Sequence, residues 1–262
     1  MRRSSAFAAL CRPTFWSGLL LAALATPLFA AELVLVPLWY QGPGSQGSYW
    51  TTHLSVYNTG GYVEPYDRGV LPCQWLLDPC PRGFWKQKML VYEAPQSMSG
   101  GFVMAVENAD NLAYTLRVFE QNAQLEDLGV DIPVVRERDL RTGAVQLMDI
   151  PASDPELFRY LLRIYGVGQA SSAVVRVNGY LSMGDGSSDL VVTREVRLTQ
   201  IGHGLGHYYA EETELVRQLI QYTGGMGQLR IEIEPMSPNL RWWGMLSATN
   251  NRTQDVTIVT PN

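Results

Sequence analysis

The chain has three histidines, and two of them, His203 and His207, stand four apart in Gly202-His203-Gly204-Leu205-Gly206-His207. That spacing lets one helical face offer two imidazoles to zinc, with Glu211 or Glu212 at hand as a third ligand. The three glycines of the segment oppose a helix, at about 1 kcal/mol each. Gly204 also stands where the H-E-x-x-H pattern carries its general base, so a metal held here lacks the proton acceptor that hydrolysis uses. A glycine loop leading into a helix is the competing reading. Asp185 and Asp189 fall in Gly-Asp-Gly-Ser-Ser-Asp, without EF-hand spacing or its closing glutamate, and Asp-Gly is the usual tip of a hairpin. Residues 42–47 spell G-x-G-x-x-G, but strand formers (Trp50 to Tyr57) follow instead of the helix that a pyrophosphate site requires. Neither G-x-S-x-G nor a phosphate loop occurs.

Aromatic residues offer a different chemistry. Eleven lie between Trp39 and Tyr92: Trp39, Tyr40, Tyr49, Trp50, Tyr57, Tyr62, Tyr66, Trp75, Phe84, Trp85 and Tyr92. Tyr62, Tyr66, Trp75, Phe84 and Trp85 sit in an irregular stretch rich in glycine and proline, where a strand core does not claim them automatically. Exposed rings on loops make flat apolar platforms for sugars or protein surfaces. The alternative is that the stretch folds over a sheet and the rings form a small satellite core.

The N-terminus reads as a secretory signal: Arg2 and Arg3, an apolar run from Phe15 to Leu24, then small residues with cleavage expected after Ala30 or Ala31. The run is shorter than the roughly 20 residues of a spanning helix, and no later segment is apolar enough to span. The expected destination is the periplasm or beyond. The formal charge is −5, and only two lysines occur, Lys86 and Lys88, so a phosphate backbone is not an expected partner. Past the signal two cysteines remain, Cys73 and Cys80, which in an oxidising compartment are expected to close a short disulfide loop. No His lies between them to favour a metal reading.

The elements that position these groups are mostly strands. In Gly227 to Pro261, Leu229, Ile231 and Ile233 alternate with Gln228, Arg230, Glu232 and Glu234, the period-two pattern of a half-buried strand. A turn at Pro235, Pro238 and Asn239 leads to a second strand, and 100–119 repeats the plan, with Asn111-Leu112 where Asn239-Leu240 falls and Tyr114 where Trp242 does. Val130 to Val135 echoes Leu35 to Leu38, and Tyr160 to Tyr165 echoes His53 to Tyr57. A hairpin is expected over 173–199, with Leu190, Val192, Val196 and Leu198 on one face. One helix is expected at about 211–222, with Leu215, Val216, Leu219 and Ile220 as its apolar stripe and Glu211, Glu212 and Glu214 near its positive end. The pattern predicts an all-β chain: two tandem immunoglobulin-like β-sandwich domains with one short α-helix in the second. Residues 1–31 are the signal, 32–127 the first domain with its tied loop at 58–85, and 128–262 the second.

The ending L-R-W-W-G-M-L-S-A-T-N-N-R-T-Q-D-V-T (Leu240 to Thr257), followed by Thr260-Pro261, resembles the C-terminal signature of uncharacterised secreted β-sandwich proteins from bacteria. Gly47 to Asn58 is similar to their recurring N-terminal strand. The resemblance implies export and a β-sandwich fold; it implies no catalytic residue.

The expectation is an exported non-catalytic binding, adhesion or structural module that meets a glycan or cell-surface protein through the ring set Tyr62, Tyr66, Trp75, Phe84 and Trp85, with no cofactor. The alternative is a metal-dependent hydrolase using His203, His207 and Glu211. Peptide mapping of the exported protein without reductant should recover Cys73 and Cys80 in one cross-linked peptide; two alkylatable thiols would refute the pairing.

Overall fold

The computed structural model describes residues 32–60, 65–66, 89–93, 101–106, 108–121, 129–151, 156–167, 173–182, 187–200, 207–223 and 228–261. Cys73, Cys80, Tyr62, Trp75, Phe84, Trp85, Asp185, His203 and residues 1–31 lie outside them. The strands are β1 (Glu32–Val36), β2 (Gln41–Pro43), β3 (Tyr49–Asn58), β4 (Pro65–Tyr66), β5 (Met89–Glu93), β6 (Phe102–Val106), β7 (Leu112–Glu120), β8 (Val130–Ile132) and β9 (Val135–Arg136). They continue with β10 (Val145–Ile150), β11 (Phe158–Val167), β12 (Ala173–Ser182), β13 (Ser188–Gln200) and β14 (His207–Glu212). Helix α1 (Glu214–Thr223) follows, then β15 (Gln228–Pro235), β16 (Arg241–Asn250) and β17 (Val256–Val259). The chain is all-β and antiparallel. Among the described residues, no helix is long and apolar enough to cross a membrane.

The first half builds two sheets around one core. One runs β4-β6-β1-β9, the other β2-β3-β7-β8 with β5 added on β3. Alternation explains the second: Leu54 and Val56 of β3 and Leu116 and Val118 of β7 turn inward toward Val34, Val36 and Phe102 of the first. β8 and β9, from the segment assigned by pattern to the second unit, pair with β7 and β1 of the first.

The second half is one sheet of eight strands, β10-β15-β12-β13-β14-β11-β16-β17, curled toward a barrel. Arg141, just ahead of β10, bonds Trp242 of β16 in both directions (N–H to O at 2.7 and 2.8 Å) and draws the sheet's two ends together. Its interior holds Leu147, Val177, Ile231, Ile233 and Leu246, and α1 lays Leu215, Val216, Leu219 and Ile220 into the same core.

Three local expectations change. The repeated strand–turn–strand pairs do not close on themselves: β6 joins β1 while β7 joins β3, and β15 joins β12 while β16 joins β11. Each turn is therefore a crossing between strands that are not neighbours. A bulge at Val191 of β13 sets Leu190 opposite Tyr180 and Val192 opposite Gly179 of β12, so Leu190 lies on the outer face and is 56% exposed, while Val192, Val196 and Leu198 stay inward. The helix starts at Glu214 rather than Glu211. Glu211 and Glu212 are held in the ladder opposite Arg163 and Leu162, and the Glu212 carboxylate instead accepts the Leu215 N–H (2.9 Å) at the helix entrance.

The two cores meet at β11 and β16, which pair through ten positions from Phe158↔Asn250 to Val167↔Arg241. Leu162, Ile164, Trp242 and Leu246 fill the second core; on the opposite face Tyr165, Trp243 and Met245 belong to the first. Neighbouring tryptophans thus serve different cores. Tyr165 Oη donates to the Pro37 carbonyl, and a side chain at Gly101 would strike that same carbonyl and the Tyr165 ring (2.8 and 2.9 Å). Glu137 adds a polar stitch, accepting from Leu33 N–H (2.9 Å) and from Arg241. Tyr165→Phe leaves the buried Pro37 carbonyl without its donor and should lower stability by about 1–3 kcal/mol in denaturant unfolding; an unchanged midpoint would show that this seam does not hold the halves together.

Candidate functional site

Past Tyr165 and Trp243, the same face of β11 and β16 loses its cover and becomes the floor of a cleft of about 550 Å³. Alternation decides what the floor shows: Arg159, Leu161 and Arg163 from β11, and Ser247 and Thr249 from β16, with Val256 and Ile258 from β17 beside them. Leu38, Tyr40, Trp50 and Val118 of the first half form one wall, Phe158 and Tyr160 border it with their side chains at the second core, and Thr213, Glu214 and Arg217 at the start of α1 form a rim. The size suits a small ligand or a few sugar rings.

The loop between β2 and β3 presents the two rings of the first wall. Tyr40 Oη donates to the Pro43 carbonyl (2.6 Å), Trp50 Nε1 donates to Ser48 Oγ (3.0 Å), and Ser48 Oγ donates to the Ser45 carbonyl (2.7 Å). Their polar tips are thus satisfied within the loop, and both residues, packed on the first core, line the cleft. The glycines that imitate a dinucleotide fingerprint do this work: a Cβ at Gly44 would lie 2.4 Å from the Trp50 indole, and Gly47 takes φ +81°. A short 3-10 turn, Ser45–Gly47, and then β3 follow, with no α-helix.

Three arginines line the cleft of a chain whose formal charge is −5, and their partners differ. Arg163 meets Glu211 (3.1 Å), whose carboxylate also accepts from Tyr209 Oη. Burial lowers the Arg163 pKa, but Tyr165, Tyr209 and Glu211 outweigh it and hold the group above its ordinary value. Arg217 pairs with Glu214 (2.7 Å). Arg159 instead donates to two neutral amide oxygens, Asn251 Oδ1 (3.1 Å) and Gln254 Oε1 (2.8 Å). Burial pulls its pKa below the ordinary value, and among the described residues no carboxylate forms an ion pair with it.

The turn between β16 and β17 is built to hold those two amides. Asn250 Oδ1 accepts from the Arg252 and Thr253 N–H groups (2.8 and 3.2 Å), Asn251 Nδ2 donates to the Glu156 carbonyl (2.7 Å), and Gln254 Nε2 donates to the Asn251 carbonyl (2.9 Å). Gln254 is kept at φ +63°, a left-handed conformation uncommon for a residue with a side chain.

Of the site residues named from sequence, Tyr66, His207 and Glu211 fall among the described residues, and none of these three lines the cleft. Glu211 stands in β14, bound to Arg163 and Tyr209. His207 begins the same strand, its backbone opposite Val167, so a helical i, i+4 face does not exist at that end of the His203–His207 segment. Tyr66 has its backbone in β4 opposite Ala105. What sequence reading missed is Arg159 with its amide partners; the signal was the dense Asn-Asn-Arg-Thr-Gln turn. Tyr40 and Trp50 were in the aromatic run but not among the rings chosen.

No protein-family model matches the sequence, and no curated protein matches it. Among solved structures the chain is similar to "Structure of infectious bursal disease virus Gx strain", at 10% sequence identity, with 88% of this chain and 76% of that chain covered and a TM-score of 0.18. At that score the likeness carries no argument about fold or function.

The seam beside the cleft also sets an alkaline limit. Burial pushes the phenols of Tyr165, Tyr209 and Tyr114 above their ordinary range. Folding therefore favours their protonated form: this contribution is intact below about pH 10, the unfolded value, and is lost as pH rises toward the folded values. In an alkaline titration followed by tyrosinate absorbance, Tyr165, Tyr209 and Tyr114 should stay un-ionised until the chain unfolds. Ionisation of all of them near pH 10 with the fold intact would contradict this.

Proposed function

We propose that the protein is an exported, non-catalytic binding module of two tandem immunoglobulin-like β-sandwich units, the second curled toward a barrel, and that it engages a glycan in the cleft between them. The observation that carries the reading is that Tyr40 and Trp50 of the first half and Arg159, Ser247 and Thr249 of the second line one open cleft. Aromatic rings with satisfied polar tips suit the apolar faces of sugar rings, and the surrounding Ser247, Thr249 and Asn251 suit hydroxyl groups. The first half contributes the two rings flanking the Gly42–Gly47 loop, whereas of the ring set expected from sequence Tyr62, Trp75, Phe84 and Trp85 lie outside the described residues. Export is supported by the basic-apolar-small order of the N-terminus and by the resemblance of the chain's ending to that of secreted β-sandwich proteins. The exported chain on a glycan array should bind a restricted set of saccharides, and Trp50→Ala should abolish that binding while the melting temperature stays within a few degrees. Binding to no glycan, or binding indifferent to Trp50→Ala, would refute the cleft as a saccharide site.

A further inference from the structure

Resting on that reading of the cleft, we infer that its ligand is an acidic saccharide and that Arg159 receives the acid group. Three observations converge on this one side chain. Arg159 lies on the cleft floor, opposite Thr249 in the β11–β16 ladder. Its two hydrogen-bond partners are the amide oxygens of Asn251 and Gln254, which orient the guanidinium without neutralising it. Two of its five N–H donors are thereby used and three remain. The two other arginines of the cleft are each paired with a glutamate, so among the described residues Arg159 is the cleft arginine without a carboxylate partner.

A cation beside apolar rings, lacking a carboxylate of its own, favours a ligand that brings one. The planar fork of a guanidinium meets a carboxylate or a sulfate ester with paired hydrogen bonds that are stronger and more directional than those to a hydroxyl. The effort spent on the turn points the same way. Gln254 is held in a left-handed conformation, and the Asn250 and Asn251 side chains lock the turn around it, with the result that two oxygens face Arg159. A lysine would fit those oxygens as a point charge but would lose the fork.

The test is isothermal titration calorimetry of the exported chain with three matched oligosaccharides: one of galacturonate, one of galactose 6-sulfate and one of galactose. The wild-type protein should bind at least one acidic form about tenfold or more tighter than the neutral one, and whether carboxylate or sulfate is preferred identifies the acid. Arg159→Gln, which keeps an amide against the turn, should abolish the preference for the acidic form over the neutral one; Arg159→Lys should recover part of that preference. Equal binding of acidic and neutral forms, both weakened by Trp50→Ala, overturns the acid assignment and leaves the cleft reading standing. An acidic preference that survives Arg159→Gln overturns the role of Arg159. Binding of none of the three, or binding unaffected by Trp50→Ala, overturns the cleft reading and this inference with it.

Discussion

Everything in this molecule depends on one pair of strands being apolar on both sides. β11 and β16 form a wall with a core on each face, and the consecutive tryptophans 242 and 243 state the constraint most compactly: the first is fully buried in the second half, the next is 6% exposed in the first. A half-buried strand would alternate; this one reads as a nearly unbroken apolar run from Trp242 to Leu246, the signature of a strand covered twice. Because the wall is shared, the two halves are fixed at Tyr165, where the Pro37 carbonyl and Gly101 leave room for one ring in one position.

The cleft is the remainder of that arrangement. The first half covers only the Tyr165–Trp243 end of the wall, so the Arg159–Thr249 end stays open. Along a single strand the same face therefore changes from core to cleft floor within six residues, and the side chains change with it, from tyrosine to two arginines. Charge follows geometry: Arg163, nearer the seam, is given Glu211 and Tyr209, whereas Arg159, nearer the opening, is given only amides.

How much of this could be read beforehand varies with the range over which each contact acts. The alternation of 228–234 was plain because one face of β15 carries Arg230, Glu232 and Glu234. The stripe of α1 was plain for the same reason. Its start was not, since Glu211 and Glu212 suit a helix N-terminus as well as a strand edge, and the decision rests with Arg163 and Arg194, which lie 48 and 18 residues before their partners. The outward turn of Leu190 depends on a bulge that sequence spacing does not mark. The repeated strand–turn–strand plan was visible, but its strands' partners were not, and an arch between different sheet neighbours has the same local pattern as a hairpin. Arg159 was illegible because its environment is assembled from residues more than 90 positions away.

A wall with a core on either side also ties the two halves to a common history. Cut apart anywhere between them, one piece would lose the cover over its Tyr165, Trp243 and Met245, and the other would lose the rings that complete its interior. Neither fragment could be shuffled alone into another gene without an oily flank facing water. Whatever lineage produced this chain has had to inherit, duplicate or discard the two halves as a single piece.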